Sequence, residues 1–141
     1  MRFMIIRRAD KTTEAGVMPS EQMLALMGNY MQDMANAGVL LGGEGLKPTS
    51  QGAIVKFTNG KPRVIDGPFA EAKELIGGYA LIQVKSREEA LEWAKRWPAV
   101  DVEANVELEL RQLYEADDFG KEFTPELRAQ EERMRSQIGT K

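Results

Sequence analysis

Neither cysteine nor histidine occurs in the 141 residues. Without cysteine there is no disulfide framework, no thiolate nucleophile and no Cys-based zinc site. Without histidine there is no Ser-His-Asp or Cys-His triad, no imidazole acid–base step and no His-ligated zinc or iron. That loss also counts against haem and non-haem iron. A metal would have to be a hard cation on carboxylates, and the reading taken here is no metal and no cofactor. Long apolar runs are missing as well. No window approaches the 18 or so residues that a membrane-spanning helix needs, so no membrane partner is expected. A basic excess is missing too: the net charge is −3, which argues against nucleic acid. The opening run Phe3-Met4-Ile5-Ile6 is closed by Arg7 and Arg8. It is too short for a secretion signal, and the expected compartment is the cytoplasm.

What is present fits one domain. Apolar residues make up 43% and charged residues 29%, as in ordinary globular proteins. Charge is uneven. Residues 1–100 carry 13 basic and 11 acidic side chains, whereas residues 101–141 carry 6 and 11. The acidic end reads as a solvated surface.

Hydrophobic periodicity supplies the elements. Phe3 to Arg8 reads as a strand, followed by a loop containing Thr12, Thr13, Gly16 and Pro19. Met23, Met27, Tyr30, Met31 and Met34 recur at helical spacing, with Ser20 as N-cap and Gly38 as left-handed C-cap. Val39 to Leu46 is a strand bent by Gly42, Gly43 and Gly45. Gly52–Phe57 and Pro62–Asp66 form a hairpin around Asn59-Gly60, both of which accept positive φ. Ile76 to Val84 is a strand. Ser86 to Glu89 is a capping box for a helix that turns Ala90, Leu91, Trp93, Ala94 and Trp97 inward and stops at Pro98. Asn105 to Leu113 alternates, with Val106, Leu108 and Leu110 on one side and Glu107, Glu109 and Arg111 on the other. Thr124-Pro125 opens a charged helix to about Gln137. Its apolar positions are few, so it packs on the domain surface or on a partner subunit.

The predicted fold is α+β: a ferredoxin-like β-α-β-β-α-β unit with an inserted β-hairpin and a C-terminal helix. The two helices cover one sheet face. Glu107, Glu109, Arg111 and either Arg7 or Arg8 lie on the other. That face is either open to water or closed by a second sheet around a polar cavity.

The most distinctive segment is the turn Asp66-Gly67-Pro68-Phe69. Asp66 either accepts hydrogen bonds from the backbone N–H groups that follow it or serves as a pocket carboxylate, and both roles can hold together. Glu71 and Glu74 share a helical face with Lys73 beside it, as an acid–base pair or as exposed ion pairs. Glu44 sits among glycines, and Tyr79 follows Gly77-Gly78. No phosphate-binding glycine loop is present. The candidate site is Asp66 as the catalytic carboxylate, with Glu44, Glu71, Lys73, Tyr79, Glu109 and Arg111 binding the ligand.

Around Asp66-Gly67-Pro68-Phe69-Ala70-Glu71-Ala72-Lys73-Glu74 the chain resembles the YCII-related proteins that carry a D-G-P-F motif. The resemblance takes in Gly43-Glu44-Gly45-Leu46-Lys47-Pro48, Gly77-Gly78-Tyr79, Glu89-Ala90-Leu91-Glu92-Trp93-Ala94 and Glu109-Leu110-Arg111. It spans about residues 1–114 and leaves 115–141 as a charged helical extension. It implies a homodimer closed into an α/β barrel. It does not bring the His-Asp pair of some relatives, since histidine is absent. It also implies a setting near extracytoplasmic-function sigma factors. The expected function is binding of a small polar molecule in a dimer-associated cavity near Asp66, with isomerase- or lyase-like proton transfer. The alternative is a regulatory, non-enzymatic module that engages a sigma factor.

Overall fold

Strand β1 (Arg2–Arg8) runs through the middle of a four-stranded antiparallel sheet of order β2-β5-β1-β6. The structure is a computed structural model that describes residues 1–70, 74–98 and 105–139. Its elements after β1 are α1 (Lys11–Glu14), α2 (Glu21–Asn36), β2 (Leu40–Gly45), β3 (Ala53–Thr58) and β4 (Lys61–Asp66). Then come β5 (Ile76–Gln83), α3 (Arg87–Lys95), β6 (Leu108–Gln112) and α4 (Pro125–Gly139). With the β3–β4 hairpin set aside, the order β1-α2-β2-β5-α3-β6 is the ferredoxin-like one, as expected.

The local signals act where the sequence places them. The Ser20 hydroxyl accepts from Met23 N–H and starts α2, and Gly38 follows it with φ +73°. Ser86 accepts from Glu89 N–H and starts α3. Glu89 reaches back to Lys85 N–H, one residue earlier than an ideal capping box. Thr124 accepts from Leu127 N–H ahead of α4. Asn59 and Gly60, at φ 53° and 76°, make the two-residue turn between β3 and β4.

One face of the sheet is the core. Phe3, Ile5, Ala80 and Ile82 from the strands meet Tyr30 and Met34 from α2 and Ala90, Ala94 and Trp97 from the α3 region. Ile5, Met34 and Ile82 are completely enclosed, so truncating any of them to Ala costs about 2–5 kcal/mol. Met27 and Met31 pack against this cluster, and the helical methionine stripe is therefore mainly core. The Tyr30 ring meets Trp97 edge-on at 5.6 Å. Its hydroxyl donates to the Trp93 carbonyl at 2.7 Å, tying α2 to α3.

Two segments differ from the sequence reading. The loop after β1 contains the one-turn helix α1. Asp10 caps it by accepting from Thr13 N–H at 2.8 Å, while Asp10 N–H donates to the Thr13 hydroxyl. Burial pushes the Asp10 carboxyl up, but the Thr13 N–H and the Arg7 guanidinium outweigh it and hold it below the usual carboxylate range. Strand β6 begins at Leu108 rather than Asn105. Asn105 has φ 60°, a left-handed value that a strand cannot contain. Among the described residues, no helix is long and apolar enough to cross a membrane.

Burial pushes the Tyr30 hydroxyl up to about 12, against an opposing pull from Arg96. The fold therefore favours the neutral phenol. This contribution is intact below the ordinary value of 10.0 and is lost as pH rises from there toward about 12. Tyr30→Phe is expected to cost about 1–2 kcal/mol at neutral pH by removing the bond to Trp93. It should also flatten the alkaline decline, measured by urea unfolding at about pH 9 and about pH 11.

Candidate functional site

The face of the sheet opposite the helices carries most of the expected site. Cross-strand pairing aligns Glu44 with Tyr79, Tyr79 with Ile6, and Ile6 with Glu109. Directly opposed residues share a face, so one row crosses all four strands as Glu44-Tyr79-Ile6-Glu109. The adjacent row is Gly42-Leu81-Met4-Arg111. Four of the expected site residues, far apart in sequence, thus converge on one surface.

Charge on this face is organised around Glu109. Arg8 Nη2 lies 3.4 Å and Arg111 Nη1 3.8 Å from the same Oε1 atom. The choice between Arg7 and Arg8 falls on Arg8. Arg7 instead reaches Asp10 at 3.3 Å and the Arg8 carbonyl at 3.0 Å. Glu109 and Arg8 are each about one-third exposed, whereas Arg111 is 69% exposed. Arg111 is therefore the cation most available to an incoming anion. Glu107 lies just before β6, exposed, and its carbonyl accepts from Arg8 N–H. Tyr79 is half-buried, and no described residue partners its hydroxyl or the Glu44 carboxylate. The face therefore holds a paired carboxylate, a phenol, a largely exposed guanidinium and a second carboxylate.

Asp66 stands elsewhere. It is the last residue of β4, exposed and paired with Ala53 in the separate two-stranded sheet. Among the described residues no backbone N–H donates to its carboxylate, so its expected turn role is not seen there. Gly67 N–H donates to the Gly52 carbonyl at 2.9 Å, Pro68 has no N–H, and Phe69 N–H donates to the Thr49 hydroxyl at 3.2 Å. The Gly67 and Phe69 donors are thus taken by other groups. The turn is held instead by Thr49, whose hydroxyl donates to Glu14 Oε2 at 2.6 Å while its N–H donates to Glu14 Oε1 at 3.2 Å. Gly67 is required there, because a Cβ would overlap the Thr49 carbonyl oxygen. The Gly67–Pro68 peptide is cis. Glu71 and Lys73 lie outside the described residues. No group of three or more acidic residues suited to a metal ion occurs among the described residues.

Sequence reasoning missed two features. Glu14 and Thr49 are 35 residues apart, and no local pattern joins them. A cleft of about 260 Å³ also opens where the tail meets the start of β1, lined by Arg2, Tyr114, Phe119, Phe123, Arg128 and Glu131. Tyr114, Phe119 and Phe123 stack in series at 5.3 and 5.4 Å. Arg2 holds Glu115 at 3.0 Å, and that hydrogen bond keeps the Glu115 carboxyl below its usual range. Asp66 lines neither this cleft nor the one of about 200 Å³ beside Tyr30 and Arg96.

The family model of the YCII-related domain matches residues 1–115. An uncharacterised protein of Rhizobium meliloti (strain 1021) is 44% identical over 50 residues, which is 36% of this chain and 40% of that protein's length. A solved structure of the 5-chloro-2-hydroxyhydroquinone dehydrochlorinase TftG from Burkholderia phenoliruptrix AC1100, in complex with 2,5-dihydroxybenzoquinone, is 11% identical. That superposition covers 85% of this chain and 100% of the other with a TM-score of 0.46, a likeness too distant to bear on chemistry.

Thr49→Val keeps the shape and deletes the hydroxyl that joins Glu14 to Phe69. It is expected to cost about 1–2 kcal/mol and to speed hydrogen exchange at the Phe69 amide. Unchanged exchange there would show that the turn is held by other contacts.

Proposed function

We propose a function on the following premise: this chain belongs to the YCII-related domain family. It binds a small polar molecule with an anionic group on the open face of the four-stranded sheet, and a second copy of the chain closes that face into a cavity. The supporting observation is the row Glu44-Tyr79-Ile6-Glu109, flanked by Arg8 and Arg111. Charged groups gathered on an uncovered sheet face recognise a polar ligand better than they stabilise a fold, because exposed ion pairs contribute about 0–1 kcal/mol each.

Each group has a task in this reading. Arg111, the more exposed cation, receives the ligand's anionic end. Arg8 holds the Glu109 carboxylate in place. Tyr79 and Glu44 supply a donor and an acceptor at the far end of the row. Proton transfer of an isomerase- or lyase-like kind suits this set. Glu109 takes the proton as a carboxylate base, and Arg111 stabilises the anion that develops.

A panel of small carboxylic and hydroxycarboxylic acids tests the binding step by melting temperature. A compound at about 100 times its Kd stabilises by about 2.7 kcal/mol, roughly 5–10 °C for a chain of this size. At least one compound is expected to produce such a shift in the wild type and to lose it in Arg111→Met and Glu109→Gln. A shift that survives both substitutions would place the ligand elsewhere.

A further inference from the structure

The cleft between the tail and the start of β1 has an aromatic wall and a charge balance of its own. The wall is the series Tyr114, Phe119 and Phe123, with ring centres 5.3 and 5.4 Å apart. One end of the series is taken: the Arg128 guanidinium carbon lies 5.3 Å from the centre of the Phe123 ring. The other end is open, since Tyr114 keeps 74% of its surface and Phe119 keeps 47%. Exposed rings lining a concave surface are the usual material of a ligand site. Their faces carry negative charge density and attract a cation held within about 6 Å of the ring centre. Arg128 already uses Phe123 in this way, and the faces of Tyr114 and Phe119 are left for a ligand.

Charge in the cleft points to the same kind of ligand. The guanidiniums of its lining are matched by carboxylates of the same chain. Arg2 holds both oxygens of Glu115, at 3.0 and 3.1 Å. Arg128 reaches Asp117 and the Ala116 carbonyl, each at 3.2 Å. Arg135 grips Glu131 at 2.7 Å. Glu132 also lines the cleft, and among the described residues nothing pairs with its carboxylate. An anion entering here has to compete with a bound carboxylate, whereas a cation meets an unpaired one. The surroundings act in the same direction, because residues 101–141 carry 6 basic and 11 acidic side chains, and a surplus of one sign concentrates the other nearby.

We propose that this cleft binds a small organic ammonium ion, with its cationic head at the Glu132 carboxylate and its apolar body on Tyr114 and Phe119. The cleft volume of about 260 Å³ lies below the roughly 300–1,000 Å³ of drug-sized sites, so an arylalkyl amine of about ten non-hydrogen atoms is the size that suits it. The tail makes the site. Apart from Arg2, Tyr114 and Glu115, its lining lies beyond the residues 1–115 that the family model matches. It is also separate from the row on the sheet face. Arg2 and Ile6 share a face of β1 but stand four residues apart, about 13 Å along the strand. The two sites take opposite charges, and neither reading depends on the other.

Titration of the isotope-labelled full chain with 2-phenylethylamine, which is charged at about pH 7, tests the proposal through backbone amide shifts. Saturable shifts at Tyr114, Glu115, Phe119, Phe123 and Glu132 are expected, with a Kd of about 1 mM or below. 2-Phenylethanol has the same shape without the charge and should bind at least about 10-fold more weakly. 3-Phenylpropionate should leave these amides unmoved. Glu132→Gln should raise the Kd of the amine about 5-fold, whereas Glu126→Gln, an equal loss of charge on α4 outside the cleft, should change it by less than about 2-fold. Tyr114→Leu keeps apolar bulk without the ring and should raise it by about 5-fold or more. If a cleft variant fails to fold, the comparison of amine with alcohol on the wild type decides. Equal binding of amine and alcohol would make the cleft merely apolar and overturn the proposal. Tighter binding of 3-phenylpropionate in the cleft, a Kd indifferent to Glu132→Gln, shifts confined to the sheet-face row, or no saturation by about 10 mM amine would each overturn it as well. The amine series leaves the carboxylic-acid panel untouched, so either reading can fail while the other stands.

Discussion

Pairing along both edges leaves the side chains of β1 only two directions. Phe3 and Ile5 turn toward α2 and α3 and are enclosed, and Arg2, Met4, Ile6 and Arg8 turn the other way. A shift of one residue would exchange these sets, burying arginine and exposing isoleucine, so the register is strongly fixed. That register also fixes which residues of β2, β5 and β6 face outward, and so assembles Glu44, Tyr79, Glu109 and Arg111 on one surface. The core and the candidate site are two consequences of the same alternation. Ile6 belongs to the outer face yet keeps only 9% of its surface, so the polar row has an apolar centre over which a ligand can lie.

Around this sheet the molecule uses long-range ties. Glu14 holds Thr49, and Thr49 holds Phe69, so the first loop, the turn after β2 and the segment after the hairpin are fixed together. The β3–β4 hairpin projects from this anchor. Arg2 ties the start of β1 to Glu115 and so fixes the tail beside the sheet. The Asp66 turn is thus a joint between the four-stranded sheet and the hairpin, and Gly67 is there because nothing larger fits against Thr49.

Much of this was legible in the sequence, because the signals are local. Ser20, Ser86 and Thr124 cap helices, Asn59-Gly60 turns a hairpin, and Glu109 and Arg111 alternate with Leu108 and Leu110. These features depend on neighbours within a few residues. The Glu14–Thr49–Phe69 chain was not legible, since it joins three segments whose proximity exists only after folding. The helix α1 was missed because Asp10 and Thr13 make a capping box without an apolar stripe behind them. The stacked Tyr114, Phe119 and Phe123 follow no single period. Asp66 looked like the organiser of its own turn because Asp-Gly-Pro is ordinarily one. Here Gly52 and Thr49 occupy the donors that such a role needs.

Backbone amide chemical shifts, followed while small carboxylic acids are titrated into the isotope-labelled chain, test the sheet face directly. Perturbations concentrated at Glu44, Tyr79, Ile6, Glu109 and Arg111 are the predicted result. Perturbations confined to the Tyr114–Arg128 cleft, or to the turn at Asp66 with the sheet face silent, would contradict it.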